Sequence, residues 1–300
     1  MKKILISILT LTSIFSLVAC DNKNKDTSTI NPPSSSTEKP ETPPTVYTGY
    51  YEKMTNNLGE TFRPTLNGII SSNLKSSSYT NAWTILEEAD AYDDKNIECF
   101  YTGQKIAKTS RSSSGASGLK WNREHVWAKS HGFGNLKSNY AYYDAFHLHA
   151  TEERINNNRG NMPFDEVTGG KKDNFGNEWN STAFEPRDEV KGDVARSLFY
   201  MVVRYEDSSL DLELEDKLTS TTNKEPVLGK LSTLVKWAYE DPVSDDEKAR
   251  NEVVYKYQGN RNPFIDNPEF VYYLYTEESN NLGINLDNLM YHINNGGSLS

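Results

Sequence analysis

The stretch W-N-R-E-H-V-W-A-K-S, Trp121 to Ser130, decides how the chain is read, together with D-A-F-H-L-H-A-T, Asp144 to Thr151, and E-E-R-I-N-N-N-R-G-N, Glu152 to Asn161. The order predicts strand, loop, strand, helix. Thr151 is the expected cap, Glu152 and Glu153 suit a first turn where the helix dipole favours acids, and Gly160 is the expected terminator. Three- and four-residue spacing then puts Glu152, Asn156 and Arg159 on one helix face. Four of the five histidines, His125, His131, His147 and His149, fall inside this window among carboxylates, amides and bases. Such a concentration of proton-transfer and ligand groups marks it as the segment that carries chemistry.

Working outward, Lys2 and Lys3 precede an apolar run, Ile4 to Ala19, that is short for a membrane span and suits an export signal. It ends Leu17, Val18, Ala19, Cys20, an ending that resembles the lipobox of bacterial lipoproteins. That resemblance implies cleavage after residue 19 and a lipid on Cys20, anchoring the chain to the membrane on its extracellular or periplasmic side. Residues 21–46 hold five prolines among Ser, Thr, Asn, Lys and Glu, with Ile30 and Val46 as the only aliphatics. So polar a segment cannot offset its ordering entropy, and about 26 residues of such coil reach roughly 25 to 30 Å. The expected organisation is therefore 1–19 signal, 20–46 lipidated cysteine and tether, and 47–300 one folded domain. Cys99 has no partner once Cys20 is acylated and reads as a small buried hydrophobe.

Within 47–300, Thr80 to Ala89 reads as a helix, Ile97 to Thr102 as a strand and Gly115 to Gly118 as part of a glycine and serine loop. Asp188 is the expected cap of a helix carrying Val190, Val194, Leu198 and Met201. Ser244 with Glu247 forms a capping box for another helix that closes near Gly259, and Asn267-Pro268 opens one more. Several helices and few strands predict an α+β fold, predominantly helical. With 11% aromatics, 18 of them tyrosine, disorder throughout is excluded, and so is a protein of many membrane spans.

The chain resembles the endonuclease I family of exported nucleases, whose active site is the ββα-metal, or His-Me, finger. The resemblance lies in E-H-V-W at Glu124 to Trp127 and I-N-N-N-R-G-N-x-P-F at Ile155 to Phe164. It continues in F-E-P-R-D-E-V-K-G-D-V-A-R at Phe184 to Arg196, D-P-V-S at Asp241 to Ser244, and Y-Q-G-N-R-N-P-F-I-D at Tyr257 to Asp266. It implies an endonuclease that cuts DNA with little sequence preference, leaving open whether RNA is cut as well. His125 matches the general base that activates water. Glu124 and Asn156 match the two protein ligands of one divalent ion, Mg²⁺ by its hard-oxygen chemistry, with Mn²⁺ or Ca²⁺ as alternatives. Adjacent residues of a regular strand face opposite ways, so a strand end or a bulge is expected at Glu124-His125.

The second strand departs from the family's D-L-H-H-L-R-P, with Ala145, Phe146, His149 and Ala150 where Leu, His, Arg and Pro would stand. Arg159 is the expected substitute for the missing phosphate-binding arginine, Arg123 and Lys129 are further substrate contacts, and His147 is a candidate for orienting a phosphate or water. Two other readings stay open: a non-catalytic nucleic-acid-binding or adhesive lipoprotein on a degenerate nuclease fold, and a zinc hydrolase built on His147 and His149. No obligate protein partner is evident and a monomer is expected.

Net charge taken alone opposes a nucleic-acid partner, since 32 Lys+Arg against 42 Asp+Glu leave −10, and −12 once Lys2 and Lys3 are cleaved away. Its distribution answers the objection. From Gly103 to Lys137 seven bases face one acid, whereas Glu206 to Asp216 carries six acids and no base. A basic approach on an acidic body predicts weak, salt-sensitive, nonspecific binding.

Overall fold

Helices with apolar residues at three- and four-residue spacing open the chain ahead of the chemical segment. α1 (Phe62–Ile70) buries Phe62, Leu66, Ile69 and Ile70, and α2 (Asn81–Ala89) buries Ala82, Ile85 and Leu86. The computed structural model describes residues 45–112, 118–134, 139–206 and 209–295, all within one contact unit, Pro44–Ser300. The leader, Cys20, nearly all of the tether and residues 115–117 of the glycine and serine loop lie outside the described residues.

β1 (Asn96–Glu98) pairs antiparallel with β2 (Lys105–Ala107). The strand expected to reach Thr102 stops at Glu98 because the chain turns there: the Gly103 amide donates to the Cys99 carbonyl at 2.7 Å, and Gly103 takes a positive φ of 62° that favours glycine. Cys99 is fully buried and unpaired.

β3 (Trp121–His125) and β4 (Leu148–Glu152) form a two-stranded antiparallel sheet, with Trp121 opposite Glu152 and His125 opposite Leu148. α3 (Glu153–Arg159) follows without a break. Thr151 remains in β4 and Glu152 takes the N-cap position, so the expected cap is one residue early. Gly160 ends the helix at φ 60°, as expected.

Three two-residue strands, β5 (Lys171–Lys172), β6 (Glu178–Trp179) and β7 (Phe184–Glu185), make a small sheet. α4 (Lys191–Arg204) is buried on nearly all sides, which makes it the central helix. A 3₁₀ turn, Asp188–Val190, precedes α4; Asp188 pairs with Lys191 at 2.7 Å instead of capping. The parallel pair β8 (Glu213–Leu214) and β9 (Val227–Leu228) leads to α5 (Leu231–Glu240), which packs along α4.

α6 (Asp245–Gln258) has the Ser244–Glu247 capping box and ends at left-handed Gly259. Asn262 caps α7 (Pro263–Asp266), with the proline in its first turn. α8 (Phe270–Leu274) starts after Glu269, later than Asn267-Pro268 suggests, because Asn267 closes α7. α9 (Thr276–Asn281) and α10 (Leu286–Asn295) complete the described chain. Helices around a main core, a second apolar cluster in which α2 meets the β1–β2 and β3–β4 pairs through Leu86, Ile97, Trp121 and Leu148, and small separate sheets make the fold α+β.

A buried polar network ties the core to the start of β4. Asp144, fully buried, accepts from Tyr200 at 2.8 Å, Tyr205 at 2.9 Å and Gln258 at 3.0 Å. Asn260 donates to Tyr200 at 2.7 Å. Arg250 of α6 donates to the carbonyls of Ala145 at 3.0 Å and Leu148 at 2.5 Å, and pairs with Asp90 at 2.7 Å. With every partner supplied, such a network fixes one backbone position. Here it sets where β4, and hence β3, lies.

Candidate active site

Strand alternation divides β3 between two environments. Asn122 and Glu124 face α3, since Asn156 Nδ2 donates to Asn122 Oδ1 at 2.7 Å and Arg159 Nη1 lies 3.0 Å from Glu124 Oε1. Arg123 and His125 face the opposite way, towards Tyr79 and Tyr142. The register is unbroken, so there is no bulge; His125 is the last residue of the strand. At that end one cavity of ≈ 520 Å³ has both Glu124 and His125 in its wall, with Asn122, Arg123, Asn156 and Arg159.

Glu124 is 1% exposed. Burial pushes its carboxyl above the ordinary range, opposed by the Arg159 guanidinium and the Tyr101 hydroxyl. Tyr101 donates to Oε1 at 2.8 Å. Both contacts fall on Oε1, and no side chain among the described residues donates to Oε2. The His125 backbone N–H also reaches the carboxylate, so Oε2 is the oxygen without a side-chain donor of its own.

His125 Nε2 lies 3.0 Å from the Tyr142 carbonyl oxygen. A carbonyl only accepts, so Nε2 carries the proton and Nδ1 holds a lone pair. Burial, then the nearby His147, holds the imidazole well below the usual histidine range. A neutral ring with a free Nδ1 can take a proton from water.

Asn156, half-buried on α3, is oriented by its bond to Asn122, which uses Nδ2 and leaves Oδ1 as the outward oxygen. Arg159 is 1% exposed and committed to protein groups: Nη1 donates to the His125 carbonyl at 2.8 Å and Nη2 to that of Val126 at 2.7 Å. It sits over the Phe164 ring at 4.5 Å. Arg159 therefore joins the end of β3 to α3 and pairs with Glu124, instead of reaching out as a phosphate arm.

Arg123 stacks on Tyr79 at 3.3 Å and Trp83 at 4.1 Å and donates to the Tyr79 carbonyl. Lys129 lines the cavity, 3.5 Å from the Tyr142 hydroxyl and 5.8 Å from the centre of that ring. The basic approach is weaker than its count suggests, because Lys105 pairs with Glu98 at 2.7 Å and Arg111 with Glu87 at 2.5 Å. Lys108, Lys120 and Lys129 form no ion pair among the described residues.

His147 does not reach the cavity. It is fully buried behind His125, ring centroids 5.5 Å apart, with Nε2 2.7 Å from the Ala141 carbonyl, so it cannot orient a phosphate there. His149 stacks on Phe100 at 3.9 Å and meets Ser197 at 3.4 Å. The two rings thus serve different neighbours and do not converge on a zinc ion. His131, also fully buried, lies 3.0 Å from the Asn161 carbonyl.

Three contributors were not evident beforehand: Tyr101, Asn122 and the Tyr142 carbonyl. Asn122 could have been found from its i, i+2 relation to Glu124 on one strand face. Nothing local points to the other two.

Among the described residues no three or more His, Cys, Asp or Glu side chains gather as a metal cage. The donor set on offer is one carboxylate oxygen and one amide oxygen, which fits a hard cation that keeps most of its waters and does not fit zinc.

The family model for endonuclease I matches residues 58–269, a span that includes every residue lining the cavity. A protein described as "Extracellular ribonuclease" from Bacillus amyloliquefaciens is 45% identical over 227 residues, covering 74% of this chain and 76% of that one. A second with the same description, from Bacillus subtilis (strain 168), is 44% identical over 227 residues, with the same shares.

Proposed function

The chain belongs to the endonuclease I family, and from that premise we propose that it is an exported, divalent-cation-dependent endonuclease hydrolysing phosphodiester bonds with little sequence preference. We read β3, β4 and α3 as a ββα-metal finger. The single observation that carries this is the cavity at the end of β3, where a proton-accepting imidazole nitrogen, a carboxylate oxygen and an amide oxygen share one wall.

His125 Nδ1 takes the proton of the attacking water, and the Tyr142 carbonyl holds the ring in the tautomer that allows it. Glu124 Oε2 and Asn156 Oδ1 would hold the cation, Mg²⁺ first, with Mn²⁺ or Ca²⁺ as alternatives. When bound, it supplies positive charge against the phosphate and the departing 3′ oxygen. Tyr101 and Arg159 occupy Oε1 and keep Glu124 from turning. Lys129 and Arg123 attract the substrate backbone. Arg159 contributes its charge through Glu124, and His147 has no direct part.

DNA and RNA are both proposed as substrates, RNA because the two relatives are described as ribonucleases. Their description as extracellular supports export of this chain. Lipidation at Cys20 after loss of residues 1–19, a tether to residue 46 and a single monomeric nuclease domain over 47–300 complete the proposal. A non-catalytic binder gains no support from a site that sets a proton-accepting Nδ1 beside a buried carboxylate.

The test is digestion of plasmid DNA and of single-stranded RNA by the full chain, with Mg²⁺ and with chelator. Cation-dependent cleavage that His125→Ala removes is expected. Absence of cleavage on both substrates, or cleavage undiminished by His125→Ala, would overturn the proposal. Incorporation of labelled fatty acid, lost in Cys20→Ser, checks the anchor.

A further inference from the structure

A second cavity, of ≈ 540 Å³, lies against the same helix α3. Asn156, Asn157 and Gly160 line the first cavity and Asn158 lines the second. At 3.6 residues per turn Asn158 stands about 200° round from Asn156, so the two openings flank the last turn of α3. Across a helix about 10 Å wide, their separation is covered by roughly three stacked nucleotides of a strand.

The lining of the second cavity sets it apart on so acidic a chain. It presents Trp179, Lys171, Asn158, Asn180 and the glycines Gly169 and Gly170, and no acidic side chain. A third cavity, by contrast, is lined by Glu87, Glu88, Asp93 and Asp94 against one base, Lys108, and would repel a phosphate. Lys171 forms no ion pair among the described residues. Asn180 uses Oδ1 to accept from Thr182 and Ala183, which leaves its Nδ2 as a donor.

The floor is rigidly related to the candidate active site. The half-buried Trp179 ring stacks on Phe184, 6.3 Å between centroids at 26°. Phe184 packs on Tyr101 at 5.1 Å, and the Tyr101 hydroxyl donates to Glu124. Gly170 lies so tightly on β6 that a Cβ would fall 2.5 Å from the Trp179 carbonyl oxygen, which pins the Gly169-Gly170 wall to the strand that carries the ring.

We infer that this cavity is a subsite for a flanking nucleotide of a single-stranded substrate, its base stacked on Trp179 and its phosphate drawn by Lys171. An aromatic face with one cation and uncommitted amides is the chemistry of sequence-tolerant single-strand binding. The inference rests on the nuclease reading and adds where the strand runs beyond the cleaved bond.

The experiment compares KM and kcat of the full chain on a dinucleotide and on a single strand of about twelve nucleotides. Trp179→Ala raises KM for the longer substrate roughly tenfold, the scale of one lost base–aromatic stack, and far less for the dinucleotide. Trp179→Phe recovers most of that loss. Lys171→Ala raises KM for the longer substrate and flattens its dependence on salt. KM values that move equally for both substrates, or not at all, overturn the subsite. If thermal melting shows Trp179→Ala unfolded, Trp179→Phe and Lys171→Ala decide by the same length criterion. Fluorescence anisotropy of the labelled longer strand, on His125→Ala protein with and without Lys171→Ala, reads the subsite without turnover. Failure of catalysis with that binding difference intact would sink the nuclease reading and leave the subsite standing.

Discussion

The Tyr142 carbonyl oxygen lies 3.0 Å from His125 Nε2, and that one contact fixes which ring nitrogen can act as a base. Tyr142 sits in the 3₁₀ turn Tyr140–Tyr143, itself capped by Asn139 accepting from Ala141 at 3.1 Å. A backbone group held by a capped turn cannot exchange roles with a donor, so Nδ1 stays proton-free. His125→Ala should lower kcat about 10²- to 10⁴-fold with KM little changed, read from initial rates on plasmid DNA and RNA. A KM effect with kcat intact would remove His125 from the base role.

Arg159→Met should act mainly on stability. It leaves Glu124 as a buried, unpaired carboxylate and strips donors from the His125 and Val126 carbonyls. Breaking a buried pair in this way costs about 3–5 kcal/mol, measurable by urea unfolding. A loss below about 1 kcal/mol would mean that the pair contributes no more than a surface one.

Tyr101→Phe removes one hydroxyl from a fully buried carboxylate at no cost in ring packing. A stability loss of about 1–3 kcal/mol is expected. Affinity for Mn²⁺, followed by titration calorimetry, should weaken as well, because Glu124 gains freedom to rotate. Unchanged affinity would separate Tyr101 from the ligand it touches.

Acid should destabilise the fold through His147. Burial lowers its pKa to about 4, against 6.5 in the unfolded chain, so between those values the unfolded state binds the extra proton. Stability from this group is full above pH 6.5 and falls as pH drops towards 4, by about 2 kcal/mol at pH 5. Unfolding midpoints of wild type and His147→Gln at pH 7 and pH 5 check the sign: the variant should lose less on acidification.

Salt should weaken substrate binding only moderately. With Lys105 and Arg111 paired to acids, Lys108, Lys120, Arg123 and Lys129 remain as the cations of the described approach that pair with no acid. Four such contacts to a single strand give a log–log slope of about −3. A slope near zero would show that phosphate contacts contribute little, and one near about −5 would restore the full basic count.

The sequence alone determined whatever depends on near neighbours. Ser244 and Glu247 cap α6 and Gly259 ends it, because these contacts close within one turn. The order strand, strand, helix over residues 121–159 is legible for the same reason, whereas Glu124, His125 and Asn156 became candidates through the resemblance to the endonuclease I family. Local signals misplace only edges: Thr151 lost the cap to Glu152 because β4 pairing extends through Glu152, opposite Trp121. Tertiary structure alone decided what each candidate can do. His147 is polar and family-placed, yet the core closes over it; Arg159 reads as a phosphate arm, yet three protein oxygens take its donors. Tyr101 joins Glu124 across 23 residues of sequence and Tyr142 joins His125 across 17. Such partners come together only when burial excludes water and each desolvated polar group must find another, and no local pattern records that demand.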